Sequence, residues 1–331
     1  MRARCRSLRQ ALPGAGMVAL ALCGQSAVHA QQEYPNRPLH FVLGYPAGAG
    51  AVDIMARQLA AQLKVLAGVP VIIENKPGAS TNIAAEYVSR SKPDGLTVLI
   101  TAGNSTFAAN AYLFKNLPFD PVKSFSPVTT LTSAQFVLLV NAGKGINTVE
   151  DLTRVMKQKG SKGSHGVGAP ISQAMAELYK SIAGLSSVQI PYKILGPAFI
   201  ELANGGIDFI FVDSANASTL MKQGRARGIA VTSAKRSPSI PDLPTMIESG
   251  IPGFDATSWQ AAYVPAGTPR PIIDRLSHLI NRAMEADEFK KAMNLIWSDP
   301  LPGNPESLEE LHLAEMEKWA KLLKAAKVEI Q

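Results

Sequence analysis

Phe41-Val-Leu-Gly-Tyr-Pro-Ala-Gly-Ala-Gly-Ala-Val-Asp-Ile-Met-Ala-Arg57 decides the reading of this chain. The apolar run Leu39 to Leu43 reads as a buried strand, and Gly44 to Val52 as a loop of small residues with three glycines and one proline. Asp53 stands where an N-cap belongs, ahead of Ile54, Leu59, Leu63 and Leu66 at helical spacing. A strand, a glycine loop and a helix N-terminus together form an anion receptor, because unpaired backbone N–H groups point out of the loop. The same residues also suit an ordinary βα connection that needs small side chains for close packing. The remainder of the chain has to separate the two.

A chain of 331 residues, 46% hydrophobic and 18% charged, can bury a large core and suggests two lobes. Its first thirty residues read as a signal peptide: Arg2, Arg4, Arg6 and Arg9, then the short apolar run Met17 to Cys23, then Val28-His29-Ala30 before a cleavage point at Gln31. The expected product is exported and soluble. Acylation at Cys23 is the alternative, disfavoured by the bulky Leu22 before it. Cleavage would remove both cysteines, Cys5 and Cys23, and with them any disulfide or cysteine nucleophile. Without the four leader arginines the 33 basic residues become 29 against 26 acidic, a formal charge of +3 that gives no case for nucleic-acid binding.

Strands and helices then alternate, as in parallel βαβ units. Strands are expected at Val69–Ile73, Leu96–Thr101, Val128–Val140, Val188–Lys193, Ile207–Val212 and Ile229–Thr232, with helices near Thr81–Ser91, Phe107–Leu113, Val149–Lys159, Ser172–Ala183, Gly196–Leu202, Pro271–Ala286 and Pro305–Ala326. Gly160 to Pro170 reads as a polar, glycine-rich stretch, and the chain from Ser237 to Pro265 as proline-rich connection. Four strand-to-helix loops share one small, polar chemistry: Tyr45–Ala49, Gly103–Thr106, Gly166–Ser172 and Asp213–Asn216. Ligands bind at such strand ends in open α/β sheets, and four similar loops favour a cleft between two lobes over simple packing.

Catalysis finds little support. Of His40, His165, His278 and His312 only His165 falls in a candidate loop, with no serine elbow or H-E-x-x-H beside it. No phosphate-binding G-x-x-x-x-G-K-[ST] and no clustered metal ligands are present, so no cofactor is expected. A hydrolytic enzyme, requiring His165, is the least favoured reading.

The blocks Tyr34-Pro-Asn-Arg-Pro38, Asp53-Ile-Met-Ala-Arg57, Pro70-Val-Ile-Ile-Glu-Asn-Lys-Pro-Gly-Ala79, Pro93-Asp-Gly95, Leu117-Pro-Phe-Asp120, Phe125-Ser-Pro-Val128, Ala230-Val-Thr-Ser-Ala-Lys-Arg236 and Pro265-Ala-Gly-Thr-Pro269 run the whole length after the leader. In them the chain resembles the periplasmic solute-binding receptors of the tripartite tricarboxylate transporter system, the Bug family. The resemblance implies a two-lobed Venus-flytrap α/β fold of the type II periplasmic-binding-protein kind, each lobe a mostly parallel sheet flanked by helices. Residues 31–132 plus 234–331 would form lobe 1 and residues 133–233 lobe 2, with hinge crossovers near Thr132–Gln135 and Ala230–Ser233.

It also implies a monomeric, non-catalytic receptor. Such a receptor grips a small carboxylate, dicarboxylate, amino acid or aromatic acid by backbone amides, hydroxyls and water, and delivers it to the membrane transporter. A receptor that signals through a sensor ectodomain is the alternative. The implied ligand contacts are Tyr45, Ala47, Gly48 and Ala49 in the first loop and Asn104, Ser105 and Thr106 in the second. Gly168, Ala169, Ser172 and Gln173 follow in the third, then Tyr192 and Asp213. A side chain at Gly48 is expected to block the close backbone approach. Tyr192 reads equally as a structural residue and Asp213 as a helix cap. The first loop is one residue longer than the family pattern, and Gln173 replaces a common His.

Overall fold

Residues 34–48 and 50–325 are described by the structure, a computed structural model. The expected signal peptide, Cys5, Cys23 and Ala49 lie outside the described residues.

The chain opens with β1 (Leu39–Leu43), α1 (Gly50–Ala67), β2 (Val71–Asn75), α2 (Asn82–Ser89) and β3 (Thr97–Ala102). A π-helical turn, Asn104–Ala109, runs directly into α3 (Asn110–Leu113). Then come β4 (Phe125–Asn141), α4 (Val149–Lys159), β5 (Ser164–Val167), α5 (Pro170–Ala183), β6 (Val188–Pro191), α6 (Leu195–Asn204), β7 (Phe209–Asp213), α7 (Ser214–Lys222) and β8 (Ala226–Val231). β9 (Thr257–Pro265), α8 (Arg270–Met284), α9 (Asp287–Leu295), β10 (Ser298–Pro300) and α10 (Pro305–Ala325) complete it.

The strand order is β2-β1-β3-β9-β4-β7-β5-β6, with β8 and β10 also paired to β4. β4 is the strand common to both halves. Its residues up to Gln135 pair with β9, and from Phe136 they pair with β7 and β8. Two passes of chain meet it at this change of partner. Phe136 donates its N–H to Thr232 Oγ1 at 3.0 Å, while the Thr232 hydroxyl donates to Ala256 O at 2.7 Å and Thr232 O accepts from Ala256 N–H at 2.9 Å.

Each half is layered helix–sheet–helix, because its strands are apolar on both faces. In the first, Phe41, Met55, Leu59, Leu276 and Ile280 bury one face, and Val42, Leu99, Phe107, Trp259 and Tyr263 the other. In the second, Phe209, Phe211, Tyr179 and Met175 lie on one face and Val137, Ile210, Leu202 and Leu220 on the other. α10 serves both: Leu308 packs in the first half, Trp319 and Leu323 in the second.

Several expectations need correction. Asp53 does not cap α1, which begins at Gly50 and leaves Asp53 buried in the first turn. The stretch Gly160 to Pro170 contains a strand, β5, and His165 lies inside it rather than in a ligand loop. The ring is fully buried, stacked on Phe209 at 5.1 Å, with Nδ1 3.0 Å from Ser187 Oγ. The proline-rich connection hides β9, a central strand. Its Trp259, Ala261 and Tyr263 alternate with Ser258, Gln260 and Ala262, but bracketing prolines mask the period of two. α9 and β10 were likewise unexpected.

Burial, and secondarily Lys180, pushes the His165 imidazole down to about 4. Folding keeps the ring neutral while the unfolded chain takes up a proton below its ordinary value of 6.5. Stability is therefore lost as pH falls from 6.5 towards 4, by about 3 kcal/mol in full. Urea unfolding across that range is expected to show the decline, and His165→Gln to remove its share. A flat profile in the wild type would contradict the buried neutral ring.

Candidate functional site

α1 packs against α7, and the π-helical turn packs against α5, so the elements that follow loops one and two meet those that follow loops four and three. Burial pushes the Tyr45 phenol up, against the hydrogen bonds from Thr101, Ala102 and Thr106, and the Asp213 carboxylate adds to the rise. Tyr45 from the first half and Asp213 from the second thus share one local environment.

Loop one is held by a buried carboxylate. Asp53 Oδ2 accepts from Gly48 N–H and from Arg57 Nε, both at 2.8 Å, and Asp53 Oδ1 accepts from Arg57 Nη2 at 3.0 Å and Asn75 Nδ2 at 2.8 Å. Asn75 Nδ2 also donates to Tyr45 O at 2.9 Å, which ties the start of the loop to its end. One expectation changes: the Gly48 N–H, read as an open anion donor, is committed to Asp53. Nothing in the protein lies within 4 Å of a Cβ at Gly48, so within the fold only its φ of +73° resists a side chain. Gly48→Ala is expected to lower stability by about 1 kcal/mol through that left-handed backbone. Urea denaturation checks it, and an unchanged midpoint would show that the loop relaxes freely. Ala47 is exposed at the tip.

Loop two is built from hydroxyls. Thr106 Oγ1 lies 2.6 Å from Thr101 Oγ1 and 2.7 Å from Thr81 Oγ1, and Tyr45 Oη accepts from Ala102 N–H at 3.3 Å. This chain helps hold a costly backbone: Ala79, Ser80 and Thr81 all have positive φ (44°, 52° and 78°). Asn110 Nδ2 fixes the same turn by donating to Ser80 O at 2.8 Å. Thr106 is therefore interior, and Ser105 is the partly exposed member of the loop. Asn104 is fully buried: its Oδ1 accepts from Ser258 Oγ at 3.3 Å, while its Nδ2 has no hydrogen-bond partner.

Loops three and four close on themselves as loop one does. Ser172 Oγ accepts from Gly168 N–H and Ala169 N–H, both at 3.2 Å, and donates to Ala169 O at 2.8 Å. Gln173 is half-buried behind it. Asp213 caps α7, its Oδ1 accepting from Ala215 N–H at 3.1 Å and Asn216 N–H at 3.2 Å, and its Oδ2 from Asn216 Nδ2. Tyr192 donates its hydroxyl to Glu201 Oε2 at 2.7 Å, and its ring lies against Gly166. Burial first, then Glu201, pushes that phenol up to about 12. Its polar end is spoken for within its own half.

Sequence reading missed Thr81, Thr101, Ser258 and Gln260, which carry the hydroxyl and amide chains behind loop two. Thr101 ends an expected strand, while Ser258 and Gln260 belong to the unexpected one. A concavity of about 1180 Å³ lies elsewhere, on the second half between α4 and residues 242–251. Polar groups on its rim are engaged locally: Thr148 caps α4, and Glu248 binds Arg236 and Thr245. It offers a ligand less than the loop cluster does.

The chain matches the profile described as tripartite tricarboxylate transporter family receptor over residues 55–328. A UPF0065 protein encoded in the tcbD-tcbE intergenic region of Pseudomonas sp. strain P51 is 32% identical over 315 residues, covering 92% of this chain and 91% of the relative. The chain belongs to this receptor family. Among solved structures the receptor is similar to the periplasmic binding protein BugD, with a TM-score of 0.81, 31% identity, and coverage of 90% of this chain and 100% of BugD. It is similar also to an R. palustris protein solved with adipate, with a TM-score of 0.83, 30% identity, and coverage of 90% and 100%. The two-lobed periplasmic-binding-protein fold is thereby established, and the receptor is a solute-binding protein rather than an enzyme.

Proposed function

We propose that this receptor, exported to the periplasm, captures a small organic anion between its lobes and hands it to a tripartite tricarboxylate-type membrane transporter. The observation that carries the reading is the packing of α1 on α7 and of the π-helical turn on α5, the elements that follow four polar strand-to-helix loops, two from each side of Gln135. None of the four contains an arginine, and Arg57 behind loop one is already bound to Asp53. Recognition then falls to amides, hydroxyls and bridging water. The adipate bound by the R. palustris relative supports a carboxylate ligand. Closure would turn about the point where β4 changes partners. Among the described residues no helix is long and apolar enough to cross a membrane, so the transporter is a separate protein in this reading.

Thermal-shift screening against monocarboxylates, dicarboxylates, hydroxy acids, aromatic acids and amino acids tests it. A ligand present at 100 times its Kd is expected to stabilise the receptor by about 2.7 kcal/mol. No response to any of these acids would overturn the proposal.

A further inference from the structure

Where α9 gives way to β10, consecutive side chains enter opposite cores. Ile296 packs on the first-half core that holds Phe289 and Met293, and Trp297 on the second-half core that holds Val137 and Leu220. Trp297 does so with a φ of +53°, a left-handed backbone that a bulky residue rarely adopts. Such a conformation persists only where the surroundings enforce it.

The enforcement comes from α7. The last carbonyls of a helix need partners from outside its own ladder. Met293 O and Asn294 O accept from the N–H groups of Ile296 and Trp297, at 3.1 and 3.2 Å. The next two carbonyls are taken by the other half. Leu295 O accepts from Ser218 Oγ at 3.2 Å and Lys222 Nζ at 3.3 Å, and Ile296 O accepts from Ser214 Oγ at 2.9 Å. The three donors follow one another at i, i+4 spacing, so they form one row along α7. The Lys222 ammonium also meets the negative end of the α9 dipole. β10 follows directly, pairing Ser298 with Ala134 beside the point where β4 changes partners. Asp299 then accepts from Ser239 Oγ at 2.7 Å and Ser237 Oγ at 3.2 Å. One short segment thus binds α7, β4 and the chain that follows β8.

We propose that residues 295–299 are a latch at the hinge, and that Ser218 and Lys222 are positioning residues for ligand capture. They fix where α7, which starts at loop four, stands against the first half. Lys222 ends α7, roughly 13 Å along the axis from Asp213, so it acts through the placement of the helix and not by touching ligand. With the latch broken, more relative freedom of the halves has to be lost at capture, and binding weakens. The proposal rests on the receptor reading above.

The acid from the same panel that gives the largest wild-type thermal shift is the probe. It is titrated by calorimetry into wild type, Lys222→Met, Lys222→Arg, Ser218→Ala and the double variant Ser218→Ala/Lys222→Met, at a temperature where each is folded. The double variant is expected to bind about tenfold more weakly and Lys222→Met about threefold, while Lys222→Arg, which keeps a cationic donor, matches wild type. A merely structural contact would lower the melting temperature and leave the affinity of the folded protein unchanged. Affinity within twofold of wild type in the double variant would overturn this proposal and leave the receptor reading standing. Should that variant fail to fold, the exposed Lys222→Met decides by the same criterion. Small-angle scattering of the ligand-free proteins needs no probe. The double variant is expected to differ from wild type in radius of gyration, and superimposable profiles would overturn the latch. A wild type that responds to no acid would overturn the receptor reading and the role in capture with it, while scattering still decides the latch.

Discussion

Asp53→Ala is expected to destabilise the receptor by about 2–3 kcal/mol, because it strands four donors that now converge on one buried carboxylate. The side chain is fully buried, and its partners come from three places: the loop tip at Gly48, the next turn of α1 at Arg57, and the end of β2 at Asn75. The lower end of the range for losing a buried pair is appropriate, since Arg57 is 45% exposed and water takes over part of its solvation. Burial by itself would raise the Asp53 carboxyl. Hydrogen bonds from Arg57, Asn75 and Gly48 outweigh it and hold the group below its ordinary 3.8. The contribution is thus present above that value and lost only as pH falls through the lowered one. This acid window lies below the one set by His165, so the two separate in a pH series. Urea unfolding of Asp53→Ala at neutral pH measures the loss, and a change under 0.5 kcal/mol would show that the clamp is dispensable. Ligand affinity is expected to fall with it, because the loop tip is released.

Gly103→Ala is expected to be nearly as damaging, at about 2–3 kcal/mol of overpacking strain. A Cβ there would lie 2.0 Å from the Trp259 ring atoms Cη2 and Cζ3. Neither side yields easily: Trp259 is 2% exposed within the aromatic group that includes Phe107 and Tyr263, and Gly103 joins β3 to the π-helical turn. The added methyl pushes the turn, Asn104 included, off the sheet. Stability and probe binding should therefore fall together. Wild-type stability in this variant would mean that the indole has room to withdraw.

Much of this was legible in the sequence because it rests on local signals. β1, the helix Val149–Lys159 and the Asp213 cap are local patterns of apolar period and capping chemistry. β9 was hidden for a physical reason: its pairing with both β3 and β4 joins residues more than 120 apart in sequence, and Pro252 and Pro265 at its margins signal connection. The same blindness covers the back of loop two. Thr132, Ser258 and Gln260 act there only because β4 and β9 lie side by side. The misreading of Gly48 has a different origin. An Asp near a helix start suggests a cap, but the helix begins three residues earlier, so the carboxylate turns back into the loop and takes the N–H.

The self-closed loops have a thermodynamic consequence. Asp53, Ser172 and Asp213 each fix a loop when the chain folds, so the conformational entropy of those segments is lost then and not at the moment of capture. What remains to be ordered on binding is the relative placement of two rigid bodies and a single acid between them. Such a binder should show a small ordering penalty, a heat-capacity change set by the area closed rather than by refolding, and little tolerance for ligands of a different shape.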